Sequence, residues 1–426
     1  MWADPRHNAY RTGAFDVASG EEGDPSSDRP LVIQFCANDP DKLLESAQAL
    51  EGYCDAIDIN LGCPQDIAKK GKYGAFLMED WDLIYRLINT LHENLSIPVT
   101  AKFRVFPTVE KTVEYAKMLE SAGAQILTCH GRLREQRGQN AGLADWAKIR
   151  AVKQAVSVPV FANGNILFQS DIQRCLDETG CDGVMSAEGQ LYNAALFNGL
   201  ASSEQALSSS SSSVTSSTPP TSLTSPSSSH TPITSTTHPN HADLALEYLE
   251  IVHSLRTRTA VSAIKGHLFK IMRPALTRET DLRERLGKAK VRSKEWEGGG
   301  KWGMDDKSPL WEYVEVCREM KRRMDKDAVD AAASGQDVEE LVATEESTGL
   351  RILPHWLAQP YFRVTKKPQP KEGDGQVNVG AVDGAPGLMG VAQAPTVPTK
   401  RSITEDGAAE AVLSSKEAGK RVKLAA

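Results

Sequence analysis

Between residues 31 and 200 the chain alternates short apolar or β-branched runs with longer amphipathic stretches of helical period, and this alternation limits the fold more than anything else in the sequence. Consecutive parallel strands need a crossover of a dozen or more residues, so the pattern predicts βα units whose sheet is covered by helices. The strand-like runs fall at 31–36, 56–61, 97–103, 125–130, 158–163 and 182–187, and the helical stretches at 41–51, 81–94, 109–121, 144–155 and 168–179. Ile97-Pro98-Val99, Gly123-Ala124 and Val158-Pro159-Val160 mark repeated returns from helix to strand. Polar residues close nearly every run, as in AIDINLGC, AKFR, TCHGR, FANGN and MSAEG, and no GxGxxG turn is present between residues 31 and 200. Polar strand ends on one rim and the missing dinucleotide turn predict an α/β fold of the (βα)8, TIM-type barrel rather than a doubly wound sheet.

A chain of 426 residues, 40% hydrophobic and 25% charged, can fill one large core and a smaller second one. Its formal net charge of -7 argues against a uniformly basic nucleic-acid binder. There is no secretory signal pattern and no apolar run long enough to span a bilayer, so a soluble protein without membrane function is expected. Seven cysteines, at 36, 54, 63, 129, 175, 181 and 317, show no paired metal-ligand spacing. They predict reduced thiols, an intracellular setting and no metal.

Cys63 stands apart from the other six. It follows the run at 56–61 directly, between Gly62 and Pro64, a context suited to holding a thiol at the rim of a pocket. Gly62 is expected to allow close backbone approach and Pro64 to stop the strand. A thiol so placed can donate a proton; the competing reading is a small buried hydrophobe.

The motifs QFCANDP, DINLGCPQ, KKGKYGAFLM, AKFRV, CHGRLREQRGQNAG, PVFANGNI, DGVMSAEG and NAALF, with LPHWLAQPYFR far downstream, stand in one order along the chain. Together they resemble the tRNA dihydrouridine synthases, and most closely the eukaryotic branch acting on D-loop positions sixteen and seventeen. The resemblance implies reduction of the C5–C6 double bond of a uracil in tRNA, with FMN as cofactor and NADPH or NADH as electron donor. It assigns Cys63 the proton to C5, opposite the hydride that reduced flavin delivers to C6. By the same resemblance Gln34, Lys102 and His130 meet the flavin ring. Asn163, Gly164 and Asn165, with Ala187, Glu188 and Gly189, form its phosphate loops. Relatives often carry glycine-arginine where this chain has Ala187-Glu188, which shifts phosphate binding to backbone donors. Asn60 is expected to orient the substrate base or the cysteine loop. Arg132, Arg134 and Arg137 are expected to reach tRNA phosphates, with Gln136 and Asn140 beside them.

The organisation expected is an irregular segment 1–30, the FMN barrel 31–200, a Ser/Thr/Pro-rich disordered linker 201–241, a basic helical tRNA-binding domain 242–327 and a flexible tail 328–426 holding LPHWLAQPYFR. Within 256–294 twelve Lys or Arg face three Asp or Glu, a footprint for RNA backbone. The run GKRVKLAA at the end resembles a nuclear-import signal, so cytoplasm and nucleus are both expected, and the protein is expected to be a monomer. Compared with the family pattern, the first two strands are missing before residue 31, which reads as N-terminal truncation. Two further hypotheses follow: a noncatalytic RNA-binding remnant, and an FMN barrel dehydrogenase of free pyrimidines.

Overall fold

A computed structural model describes residues 17, 20–138, 141–199, 236–292, 306–346 and 349–361. Six parallel strands form one sheet: β1 (Val32–Phe35), β2 (Ala56–Leu61), β3 (Val99–Arg104), β4 (Ile126–His130), β5 (Val160–Asn163) and β6 (Gly183–Met185). Between them lie α1 (Pro40–Gln48), α2 (Asp66–Gly71), α3 (Trp81–Asn94), α4 (Val109–Ser121), α5 (Trp146–Ala155) and α6 (Gln169–Thr179), and after β6 comes α7 (Glu188–Tyr192). The spatial order of the strands is their chain order, β1 to β6 without a reversal. A doubly wound sheet reverses at a switch point; uninterrupted winding is that of a barrel, and the six βα units are consecutive staves of a TIM-type barrel.

Local chemistry explains where the elements begin. Asp39, Asp80, Thr108 and Asp145 each accept a backbone N–H in the first turn of the helix that follows. The helix-to-strand returns are pinned by side chains of neighbouring units. Glu51 accepts from Ser96 N–H, and Glu120 accepts from the N–H groups of Ser157 and Val158. Asp55, Gln125 and Asp182, each at the foot of one strand, accept from Leu31, Val99 and Val160 at the foot of the strand before it. Such contacts set register between strands whose apolar faces alone would tolerate sliding.

Alternate strand residues separate two faces. Ile57, Ile59, Leu61, Val99, Ala101, Phe103, Leu127 and Cys129 are buried against the helices, meeting residues such as Leu43, Ile84, Leu87, Leu91, Tyr115 and Ile149. The opposite face carries Gln34, Asp58, Asn60, Thr100, Lys102, Arg104, Thr128, His130 and Asn163, and it holds the candidate site.

A helical part follows: α8 (His241–Ser254), α9 (Val261–Ile271), α10 (Arg273–Leu276), α11 (Thr280–Lys288) and α12 (Trp311–Ala333). Leu249, Ile264, Leu268, Tyr313, Val316 and Met320 form its core. Its limits differ from those expected. Residues 236–240 already have structure, with Thr237 and His238 buried, and α12 runs past residue 327. A short hairpin, β7 (Ala343–Thr344) with β8 (Arg351–Ile352), continues the described chain. Residues 353–361 then fold back: Trp356 enters the helical core, Ala358 N–H donates to Pro239 O, and Gln359 closes the turn on Leu353 in both directions. Tyr361 lies under the Arg273 guanidinium, 3.5 Å from its ring centroid, and beside Tyr192 of α7. The motif therefore joins the barrel to the helices through its aromatic rings, Trp356 in the helical core and Tyr361 between Arg273 and Tyr192. Among the described residues no helix is long and apolar enough to cross a membrane. Residues 201–235 of the expected linker 201–241, the import-like run 419–426 and the last two residues of LPHWLAQPYFR lie outside the described residues.

Candidate active site

Cys63 sits half-buried in the loop after β2, its Sγ 4.0 Å from Gln65 Oε1. Neighbours on its own side of the barrel hold the loop first. Asn60 Oδ1 accepts from the N–H groups of Gly62 and Cys63, at 3.0 and 2.9 Å. Cys63 O accepts from Ala75 N–H. Gly74, at φ +63°, packs on the cysteine so closely that a Cβ there would lie 2.9 Å from Cys63 O. The glycine this loop requires is thus Gly74 and not Gly62, where an added Cβ would meet nothing nearer than 3.5 Å.

The polar sheet face rises beside the loop in three registered rows. Gln34, Asp58 and Thr100 form one, Asn60, Lys102 and Thr128 the next, and Arg104, His130 and Asn163 the last. Asp58 is 6% exposed and accepts from Gln34 Nε2 at 2.7 Å and Thr100 Oγ1 at 2.6 Å. Burial pushes its carboxyl up, against those two donors. Burial also lowers the Lys102 ammonium, which has no hydrogen-bond or ion-pair partner among the described residues. His130 is driven down to about 2, first by burial and then by Arg104, Lys102 and Arg132. It is therefore neutral. The Arg132 guanidinium, 3.3 Å from Nε2, can only donate, so Nε2 is the acceptor and the proton sits on Nδ1.

Arginines tie the loop after β4 onto the cysteine segment. Arg104, 8% exposed, donates to Gly62 O at 2.7 Å, Leu133 O at 2.9 Å and Gln136 O at 3.2 Å. Arg137 donates to Pro64 O and pairs with Asp66, and Arg134 lies over the Phe76 ring while pairing with Glu135. Arg132 donates to Gly142 O and Asn165 Oδ1. The predicted phosphate-binding arginines are thus brought together, but their guanidinium groups are engaged within the protein. Gln136 likewise bonds to Leu133 and Ala141, and Asn140 lies outside the described residues.

The segments expected to hold a phosphate are also partly committed. Asn163 donates to Met185 O, and Asn165 exchanges hydrogen bonds with the backbone of Ala144. Gly164, at φ +110°, is required by packing, since a Cβ would lie 2.6 Å from that of Ala144. At Gly189 a Cβ would lie 2.4 Å from Ile166 O, so the start of α7 and the segment after β5 press together. Ala187 and Glu188 themselves add no cationic donor there.

The sequence model of the dihydrouridine synthase (Dus) family matches residues 9–227. A Schizosaccharomyces pombe protein named tRNA-dihydrouridine(16/17) synthase, with NAD(P)(+), is 42% identical over 364 residues, covering 84% of this chain and 78% of its own length. The Saccharomyces cerevisiae protein of the same name is 41% identical over 364 residues, covering 84% of this chain and 75% of itself. A Rattus norvegicus protein named as like that enzyme is 41% identical over 346 residues, or 81% of this chain and 63% of itself. This chain belongs to the dihydrouridine synthase family.

For a dihydrouridine synthase the geometry sorts the motif residues into two groups. Cys63, Lys102, His130, Gln34 and Asn60 share one polar face. Arg132, Arg137 and Asn165 hold the frame around it, and Asn163, on the face itself, is spent on Met185 O. Asp58 and Arg104 are the buried residues that motif reading passed over. Their signal was present: a charged residue at an inward position of a strand, two places before Asn60 in one case and two places after Lys102 in the other, has to be paired inside the sheet.

Proposed function

We propose that this chain is a tRNA dihydrouridine synthase that reduces uridines at D-loop positions sixteen and seventeen, using FMN and NAD(P)H. The observation that carries the reading is Cys63 held at the rim of a face that also presents Lys102, a cation without a partner among the described residues, and the neutral imidazole of His130. Those groups fit a flavin: the ammonium meets negative charge on a reduced ring, and the amide protons of Gln34 and Asn60 left over from internal bonds meet ring carbonyls. When bound, FMN supplies the hydride to uracil C6 and is re-reduced by NAD(P)H. Cys63 Sγ holds the proton that C5 takes as charge builds there; the thiolate left behind regains a proton from water. The neutral His130 donates from Nδ1 without adding a cation that would draw the Cys63 proton off early.

Lys265, Lys288, Lys290, Arg285 and Arg292 of the helical part meet the tRNA backbone in this reading, and the target base swings out to reach the site. Arg134, half-exposed, is the arginine of the loop after β4 best placed to exchange its surface partner for phosphate. The protein acts as a monomer in cytoplasm and nucleus. The test is FMN-loaded protein with NADPH and an unmodified tRNA transcript, dihydrouridine being mapped by mass spectrometry. Product at sixteen and seventeen, lost in Cys63→Ala, is expected. A flavin-loaded protein that leaves the transcript unchanged, or a Cys63→Ala variant with wild-type turnover, overturns the reading.

A further inference from the structure

Below Cys63 runs a chain of hydrogen bonds with a direction. The N–H of Cys63 donates to Asn60 Oδ1, Asn60 Nδ2 donates to Gln34 Oε1 at 2.8 Å, Gln34 Nε2 donates to Asp58 Oδ2, and Thr100 Oγ1 donates to Asp58 Oδ1. A side-chain amide presents oxygen or nitrogen equally well, so neither Gln34 nor Asn60 chooses an orientation by itself. The ends of the chain decide. Backbone N–H groups can only donate, and a carboxylate receiving two donors, one on each oxygen, can only accept. We propose that Asp58 is the positioning residue of this site, its carboxylate fixing the direction of the Gln34–Asn60 amide chain and through it the loop that carries Cys63.

Two consequences follow from that direction. If the Gln34 amide turned over, its nitrogen would face Asn60 Nδ2, two donors opposed. Relief would turn Asn60 as well and set its nitrogen against the N–H groups of Gly62 and Cys63. The loop would lose its cap. In the observed direction each amide also keeps one N–H that no group among the described residues takes, on a face where Gln34 is exposed and Asn60 half-exposed. The site therefore offers donors to a carbonyl-bearing ligand, as uracil and flavin both are. Asp58 touches neither loop nor ligand; it is half a strand below and buried.

As a statement about catalysis this rests on Cys63 being the acid, so the test has an arm that needs no turnover. Peptide-resolved alkylation of Cys63 by iodoacetamide is measured in the wild type, in Asp58→Ala, in Gln34→Glu and in the pair Asp58→Asn with Gln34→Glu. The pair moves the carboxylate one residue along and keeps every bond: Thr100 donates to Asn at 58, whose amide donates to Glu at 34, which accepts from Asn60. Alkylation several-fold faster in Asp58→Ala and in Gln34→Glu, with the pair returned close to wild type, is expected. In the tRNA assay the two single variants lose about tenfold or more in turnover, as misplaced catalytic groups do. Wild-type alkylation in Asp58→Ala, or a pair no closer to wild type than Gln34→Glu alone, overturns the proposal. If Asp58→Ala does not fold, the comparison of Gln34→Glu with the pair decides. If the wild type forms no dihydrouridine, the proposed function fails and the alkylation arm still decides the relay.

Discussion

Gly74→Ala is the substitution that most directly tests how the Cys63 loop is held. The residue sits at φ +63°, where an L side chain costs about 1–2 kcal/mol. Its new Cβ would lie 2.9 Å from Cys63 O and 3.0 Å from Cys63 Cβ. The first of these is backbone, itself bonded to Ala75 N–H, so it cannot swing aside as a long side chain would. Overpacking of this kind costs about 1–3 kcal/mol. Together the two effects predict a loss of roughly 2–5 kcal/mol if the loop stays in place, less if the loop shifts to relieve the clash. Urea unfolding measures the first outcome and the alkylation rate of Cys63 the second. Gly62→Ala is the control: its nearest atoms would lie at 3.5 Å, ordinary contact, and its φ is outside the left-handed region, so a loss under about 1 kcal/mol is expected. A Gly74→Ala variant with wild-type stability and wild-type Cys63 reactivity would refute the packing argument, as would a Gly62→Ala variant more damaged than it.

Lys102→Met should leave the apoprotein as stable as wild type or more so, because burial already disfavours its charge, while bound flavin absorbance is lost; a destabilised variant that keeps its flavin would contradict this. His130 ties stability to pH. An unfolded histidine takes up a proton near pH 6.5 that the folded one refuses until about 2, so stability from this group is intact above 6.5 and falls as the pH drops. Between pH 7 and 5 the wild type should lose about 2 kcal/mol more than His130→Gln, read from urea curves at the two pH values, and equal losses would sink the assignment of a buried neutral ring. Arg104→Met takes the guanidinium donor from the carbonyls of Gly62 and Gln136, Leu133 O keeping the N–H of Gln136, and should cost about 3 kcal/mol, whereas Arg137→Ala breaks an exposed pair worth under about 1 kcal/mol; a reversed ranking in thermal unfolding would show that the clamp is not where the structure places it.

The repeating elements were legible because local signals and tertiary outcome agree. The helices at 81–94 and 109–121 begin and end where periodicity puts them, and β2 spans its predicted 56–61. Such agreement is expected where propensity, pattern and cap all favour one state. The arginines after His130 were harder to read. A guanidinium in a surface loop looks the same in sequence whether it meets phosphate or a carbonyl, and Arg137 finds Pro64, more than seventy positions away, only when the two loops are folded together. The start of the helical part and the reach of α12 were misplaced for a similar reason, since residues 236–240 and the 353–361 motif gain their structure from each other.

What the sequence alone determined was the succession of βα units, the cysteine at a strand end and the family to which its motifs point. These rest on near neighbours and on residue chemistry. Only the tertiary structure decided which glycine presses on Cys63, which arginines are spent on the frame, and that a buried carboxylate at Asp58 directs two amides toward the loop. An amide's orientation and a glycine's necessity are set by what lies across the sheet, and parallel strands bring that neighbour from twenty to forty residues away.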